Sequence, residues 1–255
     1  MGGRGPSAGP DGWFVRPQRA GAAGESRCRL FCFPGAGGVP GNFHGWESGF
    51  PETVELWLAR LPGRESRAAE PLPGSIRDLA EILAGIVAPA LDRPFALFGY
   101  SMGGTVAYEL ALALLARGLP PPRHLFAAAS RSPLQPRALP PIHALPSEAF
   151  WQALTEDDRP PADAAILAEL EPRLRSDLRL LETYRPPVEP QPLACPITVF
   201  GGREDRLLDL EDLALWQGVS GAGCEIVVLD GGHGFAFEAS AGAELRLRIR
   251  QALGA

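Results

Sequence analysis

An apolar run, a serine between glycines and a second apolar run follow one another in FALFGYSMGGTVAYELALALLAR, residues 95–117. The first run, residues 95–98, predicts a buried strand, and the second, residues 102–117, predicts a buried helix. Between them, residues 99–103 match the pattern G-x-S-x-G. A serine on a sharp strand-to-helix turn presents its hydroxyl at the end of a sheet. The stretch therefore predicts an exposed nucleophile at Ser101.

The alternation of strand and helix continues on both sides of this stretch. The predicted strands cover residues 29–33, 54–61, 95–98, 124–129, 197–200 and 224–229. The predicted helices of the alternating pattern cover residues 75–91, 102–117, 209–219 and 238–252. Strands that alternate with helices are typical of an α/β fold. We therefore expect a mostly parallel central sheet flanked by helices.

One segment, residues 146–184, interrupts the alternation because it carries helical patterns and no strand. We expect three helices here, one beginning at Ser147, a second after residues 160–161 and a third restarted by Pro172. An all-helical insertion at this place is typical of a lid over a pocket. An ordinary peripheral layer of helices is the alternative.

These patterns divide the chain into three parts. A core built from residues 27–145 and 185–255 is expected to carry the lid insertion, residues 146–184. Residues 1–26 are rich in glycine, alanine and proline and predict a flexible N-terminal tail. Within that tail, the apolar run WFV at residues 13–15 is a candidate for docking on the core.

Composition and charge exclude several classes of function. All 24 basic residues are arginines, so there is no lysine for a Schiff base, a P-loop or a kinase-type site. The net charge of −6 disfavours nucleic acid as a partner. No apolar run reaches the roughly 18 residues of a membrane-spanning helix, and residues 1–25 lack the apolar part of a secretory signal. The four cysteines include no CxxC pair, which predicts free thiols in a cytoplasmic protein. No histidine lies at ligand spacing from any of them, so we expect no metal site.

A serine hydroxyl is a weak nucleophile until a base removes its proton, and the chain has four histidines that could act as this base. His124 opens a predicted strand and His143 lies in a proline-rich segment, so we interpret both as structural. His44 follows a glycine-rich loop and is a candidate for the rim of a pocket. His233 follows the last predicted strand in the loop DGGHGF, at the sheet edge where Ser101 is expected. We therefore predict His233 as the base.

The histidine in turn needs a carboxylate that fixes its tautomer. The loop GGRED after the fifth predicted strand supplies Asp205 at the same sheet edge, with Glu204 and Asp209 as alternatives. The resulting order of serine, aspartate and histidine is that of α/β-hydrolases. Acyl chemistry also needs two amides aimed at an oxyanion. We expect these from Met102, directly after the serine, and from Ala36, in the glycine-rich loop after the first core strand.

The motifs together resemble the type II thioesterases, the discrete editing hydrolases that accompany polyketide synthases and nonribosomal peptide synthetases. The resemblance extends from about residue 13 to the C-terminal helix. It rests on WF at 13–14, LFCFP at 30–34, AGG at 36–38, LPGR at 61–64, GYSMG at 99–103, ETY at 182–184, GGRED at 201–205 and GGH at 231–233. The combination is far more specific than any one of these motifs.

The resemblance implies an α/β-hydrolase fold with a helical lid. It implies hydrolysis of acyl thioesters from the phosphopantetheine arm of acyl or peptidyl carrier proteins. It assigns Ser101, Asp205 and His233 to a catalytic triad, and the backbone amides of Ala36 and Met102 to the oxyanion hole. No cofactor and no metal are expected, because the pantetheine belongs to the substrate. The expected enzyme is cytoplasmic and monomeric, with a carrier protein as partner and neither nucleic acid nor membrane.

Gly35 and Tyr100 stand where the family often has histidine, so the wall of the pocket is expected to differ. Because carrier proteins are usually acidic and this chain is too, docking is expected to use local arginines, with Arg64, Arg67 and Arg131 as candidates. Three other functions remain open at this point. They are a dedicated product-releasing thioesterase or acyltransferase, a carrier-independent serine esterase, and an inactive hydrolase-like binding module.

Overall fold

The computed structural model describes residues 10–17, 26–135, 140–154 and 164–255. Within them, one sheet contains the strands β1 (Phe14–Val15), β2 (Cys28–Phe33), β3 (Val54–Ala59), β4 (Phe95–Tyr100), β5 (Leu125–Ala128), β6 (Ile197–Gly202) and β7 (Cys224–Leu229). The order across the sheet is β1-β3-β2-β4-β5-β6-β7. β1 runs antiparallel to β3, and the other neighbouring pairs are parallel. The predicted α/β fold with a mostly parallel sheet is therefore confirmed.

The α-helices of the described residues are α1 (Pro10–Trp13), α2 (Ile76–Val87), α3 (Met102–Ala116), α4 (Ser147–Gln152), α5 (Ala164–Thr183) and α6 (Ala239–Leu253). Short 3₁₀ helices cover Pro40–Phe43, Trp46–Gly49, Glu65–Arg67, Ala88–Ala90, Leu210–Val219 and Phe235–Phe237. The helix predicted over residues 209–219 is thus 3₁₀ rather than α. Its buried side chains, Leu213, Trp216 and Val219, recur every three residues, and this spacing matches the period of a 3₁₀ helix.

The sheet separates two apolar cores. In β2, Phe31 and Phe33 point into the core that α2 and α3 cover, whereas Leu30 and Cys32 point into the core that α6 covers. This alternation follows from the two-residue period of a strand. Because both faces are buried, five of the six residues of β2 are apolar, and Arg29 is the exception. Most side chains of α3 are buried, as its mainly apolar sequence predicts, and the buried residues include Thr105 and Glu109.

Residues 10–15 form α1 and β1 rather than a flexible tail, and the candidate docking of residues 13–15 on the core is observed. α1 and β1 lie against the core, where Trp13 and Phe14 are buried. The Phe14 ring packs edge-on against Phe31, and β1 adds to the edge of the sheet beside β3. Burial of two large aromatic side chains outweighs the glycine- and proline-rich composition around them. The rest of the predicted tail, residues 1–9 and 18–25, lies outside the described residues.

The prediction that Pro172 restarts a helix is also wrong, because α5 runs through it without a break. A proline in a helix leaves the carbonyl four residues earlier without its usual donor. That carbonyl belongs to Ala168 here, and both Ala168 and Pro172 are exposed. Water can bond the freed carbonyl on this face, so the helix continues. The predicted helix boundary at residues 160–161 lies outside the described residues.

Parallel pairing brings the carboxyl ends of β2, β4, β6 and β7 to one edge of the sheet. In open α/β sheets this is the edge at which ligands bind. The loops that leave these four strands carry the predicted site residues. Among the described residues, no helix has both the length and the apolar character needed to cross a membrane.

Candidate active site

Ser101 lies on the sharp turn between β4 and α3. Its backbone has φ 53° and ψ −118°, in a region that residues other than glycine rarely adopt. Both glycines of the motif are required by space. A Cβ on Gly99 would lie 2.1 Å from the Gly103 carbonyl oxygen, and a Cβ on Gly103 would lie 2.2 Å from the Phe33 carbonyl oxygen. Because β4, α3 and β2 approach one another closely, Ser101 lies half-buried at the sheet edge.

His233 lies between Ser101 and Asp205. Its Nδ1 is 2.8 Å from Asp205 Oδ2, and its Nε2 is 3.2 Å from Ser101 Oγ. The Asp205 side chain is fully buried, whereas 22% of the His233 side chain is exposed. An ionised carboxylate only accepts hydrogen bonds, so Nδ1 carries the proton and Nε2 is left to accept one from the serine hydroxyl. The fold thus brings the three predicted residues together in the order that proton transfer needs.

Each partner of Ser101 is held by its own loop. Asp205 follows β6, and its second oxygen, Oδ1, accepts a hydrogen bond from the Leu207 amide at 2.9 Å. His233 follows β7, and its carbonyl oxygen accepts a hydrogen bond from the Tyr100 hydroxyl at 2.7 Å. Tyr100 therefore ties the histidine loop to the residue next to Ser101.

The two alternative acids lie elsewhere. Glu204 is exposed and accepts a hydrogen bond from the Gly231 amide. Asp209 is exposed at the start of a 3₁₀ helix. The geometry therefore favours Asp205 over both. In the part of the chain that the structure describes, no group of three or more His, Cys, Asp and Glu side chains could hold a metal ion.

The other three histidines have different surroundings. His124 is buried at the start of β5, where its Nε2 lies 2.8 Å from Thr198 Oγ1. Burial lowers the pKa of His124 to about 4, so its ring is neutral at neutral pH. The imidazole of His143 pairs with a glutamate of α5, and His44 is exposed after a 3₁₀ helix. The structural interpretation of His124 and His143 agrees with these contacts.

The glycine-rich loop after β2 lies beside Ser101. A Cβ on Gly35 would lie 3.2 Å from Ser101 Cβ. The loop turns tightly, because the Gly38 amide donates to the Gly35 carbonyl oxygen at 3.0 Å. Within the described residues, neither the Ala36 amide nor the Met102 amide donates a hydrogen bond. Both N–H groups are thus available to a new acceptor near Ser101.

The two departures from the family pattern, Gly35 and Tyr100, are in contact. A Cβ on Gly35 would lie 3.0 Å from Tyr100 Cδ1. The Tyr100 ring also packs edge-on against Phe237, with ring centroids 4.8 Å apart. The phenol ring therefore occupies the space that a side chain at position 35 would need. Tyr100 thus lies between position 35 and Phe237, next to Ser101.

The helices of the insertion cover the glycine-rich loop. Phe150, Trp151 and Leu178 form a small buried cluster, and Ala36 and Leu174 pack against it. Ala36 therefore lies between the sheet edge and the inserted helices. Sequence reasoning placed the insertion in the fold but did not identify this contact.

Arg64 and Asp177 lie behind the same loop, and sequence reasoning assigned neither to the site. Arg64 is 1% exposed and Asp177 is 0% exposed. Burial raises the pKa of Asp177, and the Arg64 guanidinium acts against that rise. The expectation that Arg64 and Arg67 dock a carrier is wrong, because both side chains are buried and bonded inside the protein. Arg131 is partly exposed and donates to a backbone carbonyl.

A family model described as the thioesterase domain matches residues 28–251. The match spans most of the chain and includes Ser101, Asp205 and His233. The chain belongs to the thioesterase family. In sequence, this thioesterase is similar to the gramicidin S biosynthesis protein GrsT of Aneurinibacillus migulanus. The two are 34% identical over 230 residues, which cover 89% of this chain and 88% of GrsT.

Solved thioesterase structures share its fold. RedJ, a thioesterase from the prodiginine biosynthetic pathway of Streptomyces coelicolor, matches with a TM-score of 0.83 and 33% identity, over 92% of this chain and 91% of RedJ. The type II thioesterase BorB from the borrelidin biosynthetic cluster matches with a TM-score of 0.84 and 26% identity, over 94% of this chain and 97% of BorB. These matches confirm the predicted hydrolase fold and the resemblance to type II thioesterases.

Proposed function

We propose that this thioesterase hydrolyses acyl groups from the phosphopantetheine arm of acyl or peptidyl carrier proteins. Its task would be to remove stalled or aberrant intermediates in polyketide or nonribosomal peptide biosynthesis. The observation that carries the proposal is the Ser101–His233–Asp205 arrangement at the sheet edge in a chain of this family. Support also comes from GrsT, RedJ and BorB, whose names connect them with gramicidin S, prodiginine and borrelidin biosynthesis.

In the proposed acylation step, Ser101 Oγ attacks the carbonyl carbon of the thioester while His233 Nε2 takes the hydroxyl proton. The buried carboxylate of Asp205 stabilises the imidazolium that forms. The carbonyl oxygen becomes an oxyanion that accepts hydrogen bonds from the Ala36 and Met102 amides. When the C–S bond breaks, His233 returns the proton to the departing sulfur, and the pantetheine leaves as a thiol.

Deacylation repeats the same steps with water as nucleophile. His233 removes a proton from water, the hydroxide attacks the ester carbonyl, and the proton passes to Ser101 Oγ as the free acid leaves. Each step uses only water and groups of this chain, so the proposal contains no cofactor and no metal. The α4 and α5 helices act as the lid over the acyl group. The proposed enzyme is a cytoplasmic monomer that needs Arg131 or another exposed arginine for carrier docking.

The proposal is tested by offering one acyl group on three leaving groups. These are a holo carrier protein, N-acetylcysteamine and a simple alcohol, compared by kcat/KM. We expect the carrier thioester to be the best substrate and the oxygen ester the poorest, with free acid as the product. Ser101→Ala should abolish turnover, whereas Ser48→Ala, which changes an exposed serine, should not.

Three results of this comparison would contradict the proposal. Preference for the oxygen ester would identify a carrier-independent esterase. Formation of a cyclic or transferred product instead of free acid would identify a product-releasing thioesterase or acyltransferase. Absence of turnover, together with absence of labelling by a serine-directed phosphonate, would identify a binding module.

A further inference from the structure

Arg64 and Asp177 form an ion pair whose two side chains are completely buried. Arg64 Nη2 donates to both carboxylate oxygens of Asp177, at 2.8 and 3.0 Å. Removing two charges from water is so costly that a buried pair is weak grounds for expecting added stability. The presence of the pair therefore needs an explanation other than stability, and its remaining hydrogen bonds indicate one.

Those remaining bonds go to the glycine-rich loop, directly after Ala36. The Gly37 amide donates to Asp177 Oδ2 at 2.6 Å, and Arg64 Nη1 donates to the Gly38 carbonyl oxygen at 2.6 Å. A third bond runs from Arg173 Nε to the Gly37 carbonyl oxygen at 2.9 Å. Two consecutive residues of the loop are thus held from two sides, by the segment after β3 and by α5.

A loop of this composition needs such external bonds. Gly37 has φ 71°, and glycine adopts both hands of backbone conformation with little difference in energy. The peptide group between Ala36 and Gly37 is therefore free to rotate unless its N–H is fixed. Asp177 fixes that N–H, and Leu170 and Leu174 of α5 lie close against Gly37. The Ala36 N–H belongs to the preceding peptide group, so a displacement of residues 37–38 reaches it through the Ala36 Cα and moves it away from Ser101.

We propose that Arg64 and Asp177 are positioning residues that hold the Ala36 amide in the direction needed to bind the oxyanion. The direction of this amide then depends on how α5 packs against the glycine-rich loop. The inference rests on the proposed role of Ala36 in the reaction. It also gives Arg64, the last residue of LPGR at 61–64, a role next to the reacting atoms.

The first test uses Asp177→Asn, which keeps the size of the side chain and removes its charge. The substrate is a small N-acetylcysteamine thioester, so that carrier docking does not affect the rates. We expect kcat to fall by about 10- to 1000-fold, up to the effect of losing one oxyanion donor. KM and the pH dependence of kcat/KM should stay unchanged, because the Ser101–His233–Asp205 contacts are intact. A trifluoromethyl ketone analogue of the acyl chain, whose adduct carries the oxyanion, should lose affinity by the same factor as kcat/KM.

The matched control is Glu55→Gln, at the other end of the sheet. Glu55 accepts a hydrogen bond from the buried Arg29 at 2.9 Å, so this change removes a carboxylate charge opposite a buried arginine without touching the loop or the lid. We expect its kcat to stay within about threefold of wild type. An equal loss in both variants would overturn the proposal, because it would assign the effect to the loss of a charge partner for a buried arginine in general.

The double variant Arg64→Met/Asp177→Leu separates positioning from stability. Replacement of a buried ion pair by apolar side chains of similar volume is often tolerated. We expect a folded protein, with wild-type near-ultraviolet circular dichroism, that has the low kcat and the weak ketone affinity of Asp177→Asn. A folded double variant with wild-type kcat would overturn the proposal and leave the proposed hydrolysis intact. Absence of thioester hydrolysis by the wild type would instead contradict the proposed function.

Discussion

At the scale of single residues, the backbone at Ser101 illustrates how a strained conformation is maintained. A residue other than glycine at φ 53° costs about 1–3 kcal/mol. Two hydrogen bonds oppose this cost: the Ser101 amide donates to the Ala128 carbonyl oxygen at 2.8 Å, and the Gly104 amide donates to the Ser101 carbonyl oxygen at 3.0 Å. The strained residue thus lies between β4 and α3, which are both buried.

Tyr100→Phe tests the hydrogen bond between Tyr100 and the His233 carbonyl oxygen. Loss of one hydrogen bond typically costs about 1 kcal/mol. If this loss loosens the loop that carries His233 and raises the activation free energy by the same amount, kcat falls roughly fivefold. We expect kcat/KM to fall by about that factor. The matched control is Tyr184→Phe, which removes a 2.7 Å hydrogen bond to Glu109 away from the site.

Tyr184→Phe should lower the free energy of unfolding and leave kcat/KM unchanged. Unfolding in urea and steady-state kinetics with one thioester measure both quantities for each variant. If the two variants lose activity equally, Tyr100 has no specific role in positioning His233.

The residue types of the site could be predicted from the sequence because each follows a strand in a recognisable loop. Ser101, Asp205 and His233 were predicted in this way, and the structure brings them into hydrogen-bond contact. The Arg64–Asp177 pair could not be predicted, because its members lie 113 positions apart and neither stands in a loop next to the reacting atoms. Only the folded chain brings them together.

At the scale of elements, mainly apolar segments of four to eight residues between turn signals predict the core strands, and each strand is present in the structure. β1 was not predicted as a strand because two residues carry no periodic signal. The break expected at Pro172 was wrong because local chemistry alone does not decide whether a proline ends a helix. The surroundings of the freed carbonyl decide it, and these depend on which face of α5 is exposed.

Pro172→Ala tests this explanation of α5. An alanine at position 172 restores the amide that can donate to the Ala168 carbonyl oxygen, and alanine favours a helix interior by up to about 3 kcal/mol over proline. We expect amides near residues 168–176 to exchange hydrogen more slowly with solvent, as measured by mass spectrometry. Arg179→Ala, at an exposed position of the same helix, should not slow exchange there. Unchanged or faster exchange in Pro172→Ala would contradict the explanation.

At the scale of the whole molecule, the arginines of this lysine-free chain serve the interior as well as the surface. Arg29, Arg64 and Arg67 are buried although the chain carries a net charge of −6. The planar, always charged guanidinium suits buried pairs because it donates several hydrogen bonds in a fixed geometry. Net charge alone therefore says little about which arginines face a partner, and this is why two of the three predicted docking residues were wrong.

His124 makes the stability of the whole fold depend on pH. Burial lowers its pKa to about 4 in the folded protein, from an ordinary value of 6.5. Between these values the unfolded chain binds a proton that the folded chain does not, so stability is lost as the pH falls from 6.5 towards 4. From this histidine we expect a loss of about 2 kcal/mol between pH 7 and pH 5.

His124→Gln removes the titration and keeps a polar partner for Thr198. Urea unfolding of both proteins at pH 7 and pH 5 measures the loss. The variant should lose less stability than wild type over this interval, even if it is less stable at pH 7. An equal loss in the two proteins would show that His124 is not responsible.

The most direct test of the central claim, that His233 activates Ser101 as the nucleophile, is covalent labelling with a serine-directed phosphonate, followed by intact mass and peptide mapping. We predict one adduct, on Ser101, whose formation parallels the loss of thioester hydrolysis. Ser101→Ala should remain unlabelled and inactive, and His233→Ala should label far more slowly because its serine keeps its proton. An unlabelled wild type, or a Ser101→Ala variant that still hydrolyses the thioester, would contradict the claim.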